Sequence, residues 1–131
     1  TRITQKIIDT FGGNLKGKTI TILGWAFKPN TNDSRESPAI YVAFQLLKAG
    51  ASLKIYDPMV KENKIITDLQ NLIEQDPKIK HQHLERINRV NIYLDVNSAI
   101  NDTDAISVIT EWDEFKRINW RMIRQKTPVF L

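Results

Sequence analysis

A short apolar run at residues 18–27 (KTITILGWAF), rich in β-branched side chains, constrains the fold most. Such a run is typical of a strand buried on both faces of a parallel sheet. A helical pattern follows, with Ser37 as the candidate N-cap, Pro38 in the first turn and Gly50 at the end. A second apolar run at residues 51–58 completes a strand–helix–strand unit, for which the right-handed parallel crossover is the rule.

The same alternation continues along the chain. Helical patterns are predicted at residues 1–11, 61–76, 98–102 and 111–126, and further strands at 90–95, 104–110 and 128–131. The polar stretch at 77–89 is predicted to be a surface loop or a short helix. This order predicts one α/β domain with a Rossmann-like open parallel sheet of about five strands and helices on both faces, a three-layer α/β/α arrangement.

The composition excludes several classes of function. The chain has 131 residues and 41% hydrophobic residues, which suits one globular domain. It has no cysteine, so it holds no disulfide, thiolate metal site or cysteine nucleophile. The formal charge of 19 − 15 = +4 favours anionic ligands mildly, without indicating nucleic acid. With no apolar run long enough for a membrane span, the expectation is a soluble cytoplasmic protein.

The segment expected to carry chemistry is the loop at residues 24–37, because ligands of such sheets bind beyond the carboxyl ends of the strands. It lacks the glycine spacing of a dinucleotide-binding loop. It does carry Lys28 and Arg35 close to a predicted helix start, where free backbone N–H groups favour anions. A lysine and an arginine so placed suit a diphosphate. The alternative is that both are solvated charges, paired locally with Asp33 and Glu36.

Three strings in order carry a family resemblance. Residues 22–40 (ILGWAFKPNTNDSRESPAI), 55–58 (IYDP) and 109–115 (ITEWDEF) resemble the carboxy-terminal domain of the UDP-glucose/GDP-mannose dehydrogenase family. The likeness runs from about residue 2 to residue 131. The TEWDEF string is more similar to the UDP-glucose branch than to the GDP-mannose or UDP-N-acetylmannosamine branches.

This resemblance implies a function and a set of site residues. Members of the family oxidise a nucleotide sugar twice with NAD and a catalytic cysteine. The resemblance to the UDP-glucose branch implies that the complete enzyme converts UDP-glucose to UDP-glucuronate. The cysteine and the NAD-binding loop belong to amino-terminal and central domains that this chain lacks, so we expect no catalytic residue here. By resemblance, Phe27 and Lys28 contact the substrate and Arg35 reaches the NAD. A further substrate-binding arginine would follow the position equivalent to Leu131.

The resemblance also implies partners. The chain is expected to be an excised piece, with residues 1–13 as the tail of an inter-domain helix, and the complete enzyme is expected to form a homodimer or a higher homo-oligomer. Two alternatives stay open. One is the same domain of a UDP-N-acetylmannosamine or GDP-mannose dehydrogenase. The other is a free-standing nucleotide-binding or oligomerisation module.

Other conspicuous residues are expected to be structural. Asp57, which precedes Pro58, is predicted to cap or close a turn. The aromatic residues Trp112, Phe115 and Trp120 are predicted to pack the domain. His81 and His83 have no third ligand in view, so no metal site is expected.

Overall fold

The computed structural model describes residues 2–76 and 87–131. The helices are α1 (Arg2–Thr10), α2 (Pro38–Lys48), α3 (Glu62–Gln75), α4 (Val96–Ile100), α5 (Asp113–Lys116) and α6 (Trp120–Ile123). The strands are β1 (Thr19–Leu23), β2 (Ser52–Tyr56), β3 (Val90–Ile92), β4 (Ala105–Val108) and β5 (Val129–Phe130). The loop or short helix predicted at 77–89 lies mostly outside the described residues.

The five strands form one sheet in the order β3-β2-β1-β4-β5, and every neighbouring pair is parallel. This confirms the predicted Rossmann-like open parallel sheet. The chain leaves β1 towards β2 and β3, then returns past β1 to form β4 and β5 on its other side. The strand order therefore reverses between β1 and β4.

Helices cover both faces of the sheet. The crossovers that contain α2 and α3 run in one direction along the sheet, and the crossover that contains α4 runs back, so right-handed connections place α4 on the opposite face. On the α4 side, the hydroxyl of Thr21 donates to the carbonyl of Ala99 at 2.6 Å. Lys54, the β2 partner of Thr21, donates to the carbonyl of Asn101. The core between the layers contains Ile20, Ile22, Leu53 and Ile55.

Helix α2 begins and ends where its sequence signals place it. Ser37 is the N-cap, Pro38 is the first helical residue and Gly50 follows the end with a φ of 106°. A glycine adopts this left-handed conformation without steric strain. Residue types that cap and stop a helix therefore fixed both ends.

The first strand ends where the loop at residues 24–37 was predicted to begin. β1 stops at Leu23, because Gly24 has a φ of 92° and turns the chain into that loop. The helical stretch expected at 111–126 is divided into α5 and α6. The division occurs because Asn119 lies outside the helical conformation and its side chain caps α6 by accepting from the Met122 N–H at 3.1 Å.

Candidate functional site

The loop that follows β1, residues 24–37, lies at the carboxyl edge of the sheet where the strand order reverses. We call it the β1 loop. Gly24, its first residue, passes so close to the end of β4 that an added Cβ would lie 2.5 Å from the Cβ of Thr110. The Thr110 hydroxyl donates to the carbonyl of Ala26 at 2.6 Å. The β1 loop is thus packed against the first residues beyond β4.

A buried carboxylate after β2 fixes the start of the β1 loop. Asp57 Oδ2 accepts from the backbone N–H groups of Trp25 (2.7 Å) and Ala26 (2.9 Å) and from the Trp112 indole N–H (3.2 Å). Its Oδ1 accepts from the N–H groups of Met59 and Val60. The predicted turn role of Asp57 is confirmed. Its contacts to the β1 loop were not predicted, because no local pattern signals a partner 31 or 32 residues away.

A second buried carboxylate, Asp68 on α3, contacts the side chains of the β1 loop. Its Oδ2 accepts from the Trp25 indole N–H at 3.0 Å and from the Ser34 hydroxyl at 2.6 Å. Its Oδ1 lies 2.7 Å from the ammonium of Lys64, one turn earlier on the same helix. Trp25 and Ser34 are completely buried, so the loop rests on a rigid base.

Above this base, the two residues assigned to the substrate are open to solvent. The Phe27 residue is 56% exposed. Its backbone N–H donates to the carbonyl of Asp33 at 2.7 Å, which links the outgoing limb of the loop (residues 24–28) to its returning limb (residues 33–37). Lys28 is also exposed. Within residues 2–76 and 87–131 its ammonium has no ion-pair partner. A mobile, unpaired lysine at this edge is suited to an anionic ligand.

Arg35, assigned to NAD, is held in place by a neighbouring carboxylate. Its Nε and Nη2 donate to the two carboxylate oxygens of Asp33 at 3.1 and 2.9 Å, although the arginine side chain is 83% exposed. The hydrogen bonds from Arg35 lower the pKa of Asp33 from 3.8 to about 2. Phe27 and Arg35 line one open hollow together with Asp33 and Glu36. The local pairing considered for Arg35 is therefore present, within the same hollow.

The start of α2 differs from the expectation of free backbone donors. Pro38 has no N–H, and the Ala39 N–H donates to the Ser37 hydroxyl at 3.2 Å. The Ile40 N–H donates to the Ser37 carbonyl at 3.2 Å. The serine that caps the helix thereby occupies the groups that an anion would need, so the cationic side chains of the β1 loop remain the candidates for binding an anion.

The aromatic residues after β4 have structural contacts, as predicted. Trp112 and Phe115 are buried, and the Trp120 indole donates to the Phe115 carbonyl at 2.9 Å. Phe115 packs edge-on against Tyr56, with ring centroids 6.1 Å apart. The Tyr56 hydroxyl donates to Glu114 at 2.6 Å, and burial together with this carboxylate raises the pKa of Tyr56.

Two classes of site find no support in the described part of the chain. Residues 2–76 and 87–131 contain no cluster of three metal-ligating side chains, and none of their helices is long and apolar enough to cross a membrane. His81 and His83, for which no zinc site was expected, lie outside the described residues.

Comparison with known proteins identifies the family. The family described as "UDP-glucose/GDP-mannose dehydrogenase family, UDP binding domain" matches residues 21–131. This chain belongs to the UDP-glucose/GDP-mannose dehydrogenase family. The matched region contains the whole β1 loop, and the resemblance inferred from the three sequence strings is confirmed.

Relatives within the family are UDP-glucose 6-dehydrogenases. The enzyme of Drosophila melanogaster is 42% identical over 126 residues, which are 95% of this chain and 25% of the relative. UDP-glucose 6-dehydrogenase 3 of Arabidopsis thaliana is 36% identical over 136 residues, covering 100% of this chain and 28% of the relative. This UDP-binding domain therefore spans about a quarter of the length of the curated relatives it matches.

Solved structures of the family share the fold. A UDP-glucose dehydrogenase from Pyrobaculum islandicum superposes with a TM-score of 0.69 at 23% identity, covering 99% of this chain and 28% of that one. A GDP-mannose dehydrogenase from Pseudomonas aeruginosa superposes with a TM-score of 0.57 at 21% identity, covering 96% and 27%. Identities this low support the fold alone.

Proposed function

We propose that this chain is the sugar-nucleotide-binding part of an NAD-dependent UDP-glucose 6-dehydrogenase, in which Phe27 and Lys28 contact the substrate and Arg35 contacts NAD. The observation that carries the proposal is the β1 loop itself. The loop lies where the strand order reverses, and it falls within residues 21–131, which match a family described by UDP binding. It exposes an aromatic ring and two cationic side chains above a buried base.

The chemistry of the loop fits a diphosphate substrate. The Lys28 ammonium is a compact charge with three donors and can follow the oxygens of a diphosphate as they move. The exposed ring of Phe27 offers an apolar surface next to it. We assign these two residues to binding and orientation, not to proton or hydride transfer.

Arg35 can bind the dinucleotide while keeping its contact with Asp33. The carboxylate uses Nε and Nη2, and within residues 2–76 and 87–131 no hydrogen bond involves Nη1. Two N–H donors on Nη1 therefore remain for a phosphate oxygen, and Asp33 keeps the guanidinium plane in one orientation. NAD, when bound, accepts hydride from the substrate in this proposal.

The complete reaction that we propose consumes one UDP-glucose, two NAD⁺ and one water and yields one UDP-glucuronate, two NADH and three protons. The chain contains no cysteine, so the covalent step assigned to a cysteine by family resemblance is proposed for amino-terminal and central domains of the complete protein. Domain boundaries, homo-oligomeric assembly and cytoplasmic location stay predictions.

The test is to produce the complete protein that contains this chain and to follow NADH absorbance with separate nucleotide sugars. We expect two NADH per UDP-glucose and little NADH from UDP-N-acetylmannosamine, UDP-N-acetylglucosamine or GDP-mannose. NADH from another sugar alone would move the protein to another branch of the family. No NADH from any of the four would support a binding or oligomerisation module instead.

A further inference from the structure

One carboxylate oxygen joins both limbs of the β1 loop. Asp68 Oδ2 accepts from Trp25, two residues before Phe27 in the outgoing limb, and from Ser34, the residue before Arg35 in the returning limb. The two donors are nine residues apart in sequence, yet they meet on the same atom of α3. The positions of the substrate-side and NAD-side residues are therefore linked through Asp68.

The chemistry of this contact requires a carboxylate. The indole N–H of Trp25 and the ammonium of Lys64 can only donate hydrogen bonds, and Ser34 donates here as well. The two oxygens of the carboxylate accept from all three partners, whereas an amide with its oxygen towards Trp25 and Ser34 would turn its NH2 group towards the Lys64 ammonium. The Asp68 side chain is only 7% exposed, so water cannot readily replace a lost contact.

The other buried carboxylate of the site, Asp57, contacts a different part of the loop. Asp57 accepts from the backbone of Trp25 and Ala26, and among the described residues it has no hydrogen bond to the returning limb. Asp57 therefore fixes where the β1 loop begins, whereas Asp68 links the two limbs through their side chains, beneath the direct hydrogen bond from the Phe27 N–H to the Asp33 carbonyl. Both carboxylates come from outside the loop, one after β2 and one from α3.

We propose that Asp68 is a positioning residue that couples the substrate-binding pair, Phe27 and Lys28, to the NAD-binding Arg35. The proposal rests on the function proposed above. Asp68 contacts no ligand itself, and its effect passes through Trp25 on one limb and Ser34 on the other. Loss of the Asp68 carboxylate weakens binding of both the sugar nucleotide and NAD, whereas loss of the Ser34 hydroxyl acts mainly on NAD.

The experiment compares Asp68→Ala, Ser34→Ala and a control, Ile73→Val, in the complete protein. Ile73 is completely buried on α3 and lies in a hydrophobic cluster with Phe44, so its truncation perturbs the same helix without touching the β1 loop. The measurements are KM for UDP-glucose, KM for NAD, kcat, melting temperature and hydrogen exchange of the amides in residues 26–36. Ser34→Ala is the milder variant, available should Asp68→Ala not fold.

In Asp68→Ala we expect both KM values to rise on the order of tenfold, because the charged acceptor shared by Trp25 and Ser34 is removed. In Ser34→Ala we expect a smaller rise that falls mainly on NAD. Exchange in residues 26–36 should be faster in both variants and unchanged in Ile73→Val.

The proposal is overturned if the Asp68 and Ser34 variants lose thermal stability as the control does while loop exchange and both KM values stay at the wild-type level. Hydrogen exchange of the loop amides tests the proposal even in a protein without dehydrogenase activity, because it reports the coupling of the limbs directly. Wild-type activity with UDP-glucose is a separate measurement, so failure of the proposed function is distinguishable from failure of this inference.

Discussion

At the scale of single residues, the β1 loop combines exposed cations with buried acceptors. Lys28 and Arg35 are exposed, whereas Asp57 and Asp68 lie beneath them and accept from the loop. Exposed charges can meet a ligand with little desolvation, and buried carboxylates with several donors hold a loop in one conformation. The proposed function therefore assigns binding and positioning to different residues.

The ion pair of Arg35 and Asp33 predicts a pH dependence. Because hydrogen bonds from Arg35 lower the pKa of Asp33 to about 2 in the folded chain, this contact stabilises the fold above the ordinary pKa of 3.8. The stabilisation is lost as the pH falls through about 2. An NMR titration of the Asp33 carboxyl should show a midpoint near 2 that moves towards 3.8 in Arg35→Ala. An equal midpoint in both proteins would mean that the pair does not form in solution.

At the scale of elements, Asp57 joins the ends of β1 and β2 to the segment after β4. Asp57→Ala would leave four buried donors without this acceptor, the backbone N–H groups of Trp25, Ala26 and Val60 and the Trp112 indole. The half-buried Met59 N–H would lose it as well. We expect the free energy of unfolding to fall by about 3 to 5 kcal/mol, measured by urea unfolding.

A matched control is Asp95→Ala. Like Asp57, Asp95 follows a strand and accepts from a backbone N–H group, that of Ser98 at 2.8 Å, where it caps α4. Unlike Asp57, it is exposed. Water can replace its contacts, so this variant should lose much less stability than Asp57→Ala. Equal losses in the two variants would show that the contacts of Asp57 to the β1 loop add nothing to its turn role.

The elements that the sequence predicted well have local signals. Both ends of α2 follow from a serine, a proline and a glycine next to the helix, and the buried strands follow from runs of apolar residues. The division of 111–126 was missed because aromatic and charged residues alternate there at helical spacing, whereas the Asn119 cap decides the structure. In that stretch a local polar contact prevails over the apolar pattern.

The role of Asp68 was missed because its partners lie 34 and 43 residues away in sequence. One sign was visible. Asp68 stands between Ile65 and Leu69 on the apolar stripe of α3, and an acid in such a position needs buried donors. Such a residue could have been marked as a candidate contact to a loop, but the sequence alone does not show which loop.

At the scale of the whole molecule, the fold indicates where a ligand binds and the description of the family indicates which class of ligand it is. An open parallel sheet binds ligands where its strand order reverses, and here the β1 loop occupies that edge. The family matched by residues 21–131 is described by UDP binding. The residue roles within the loop rest on resemblance and geometry, so they call for a direct measurement.

That measurement is calorimetric binding of UDP-glucose to the complete protein, comparing Lys28→Ala with Lys16→Ala. Both lysines are exposed, but Lys16 precedes β1 and so lies at the opposite end of the strand. We predict that Lys28→Ala weakens binding on the order of tenfold, the loss of one charge-assisted contact, with an unchanged melting temperature. Lys16→Ala should bind as the wild type does. Equal affinity in all three proteins would contradict the assignment of the β1 loop to the sugar nucleotide.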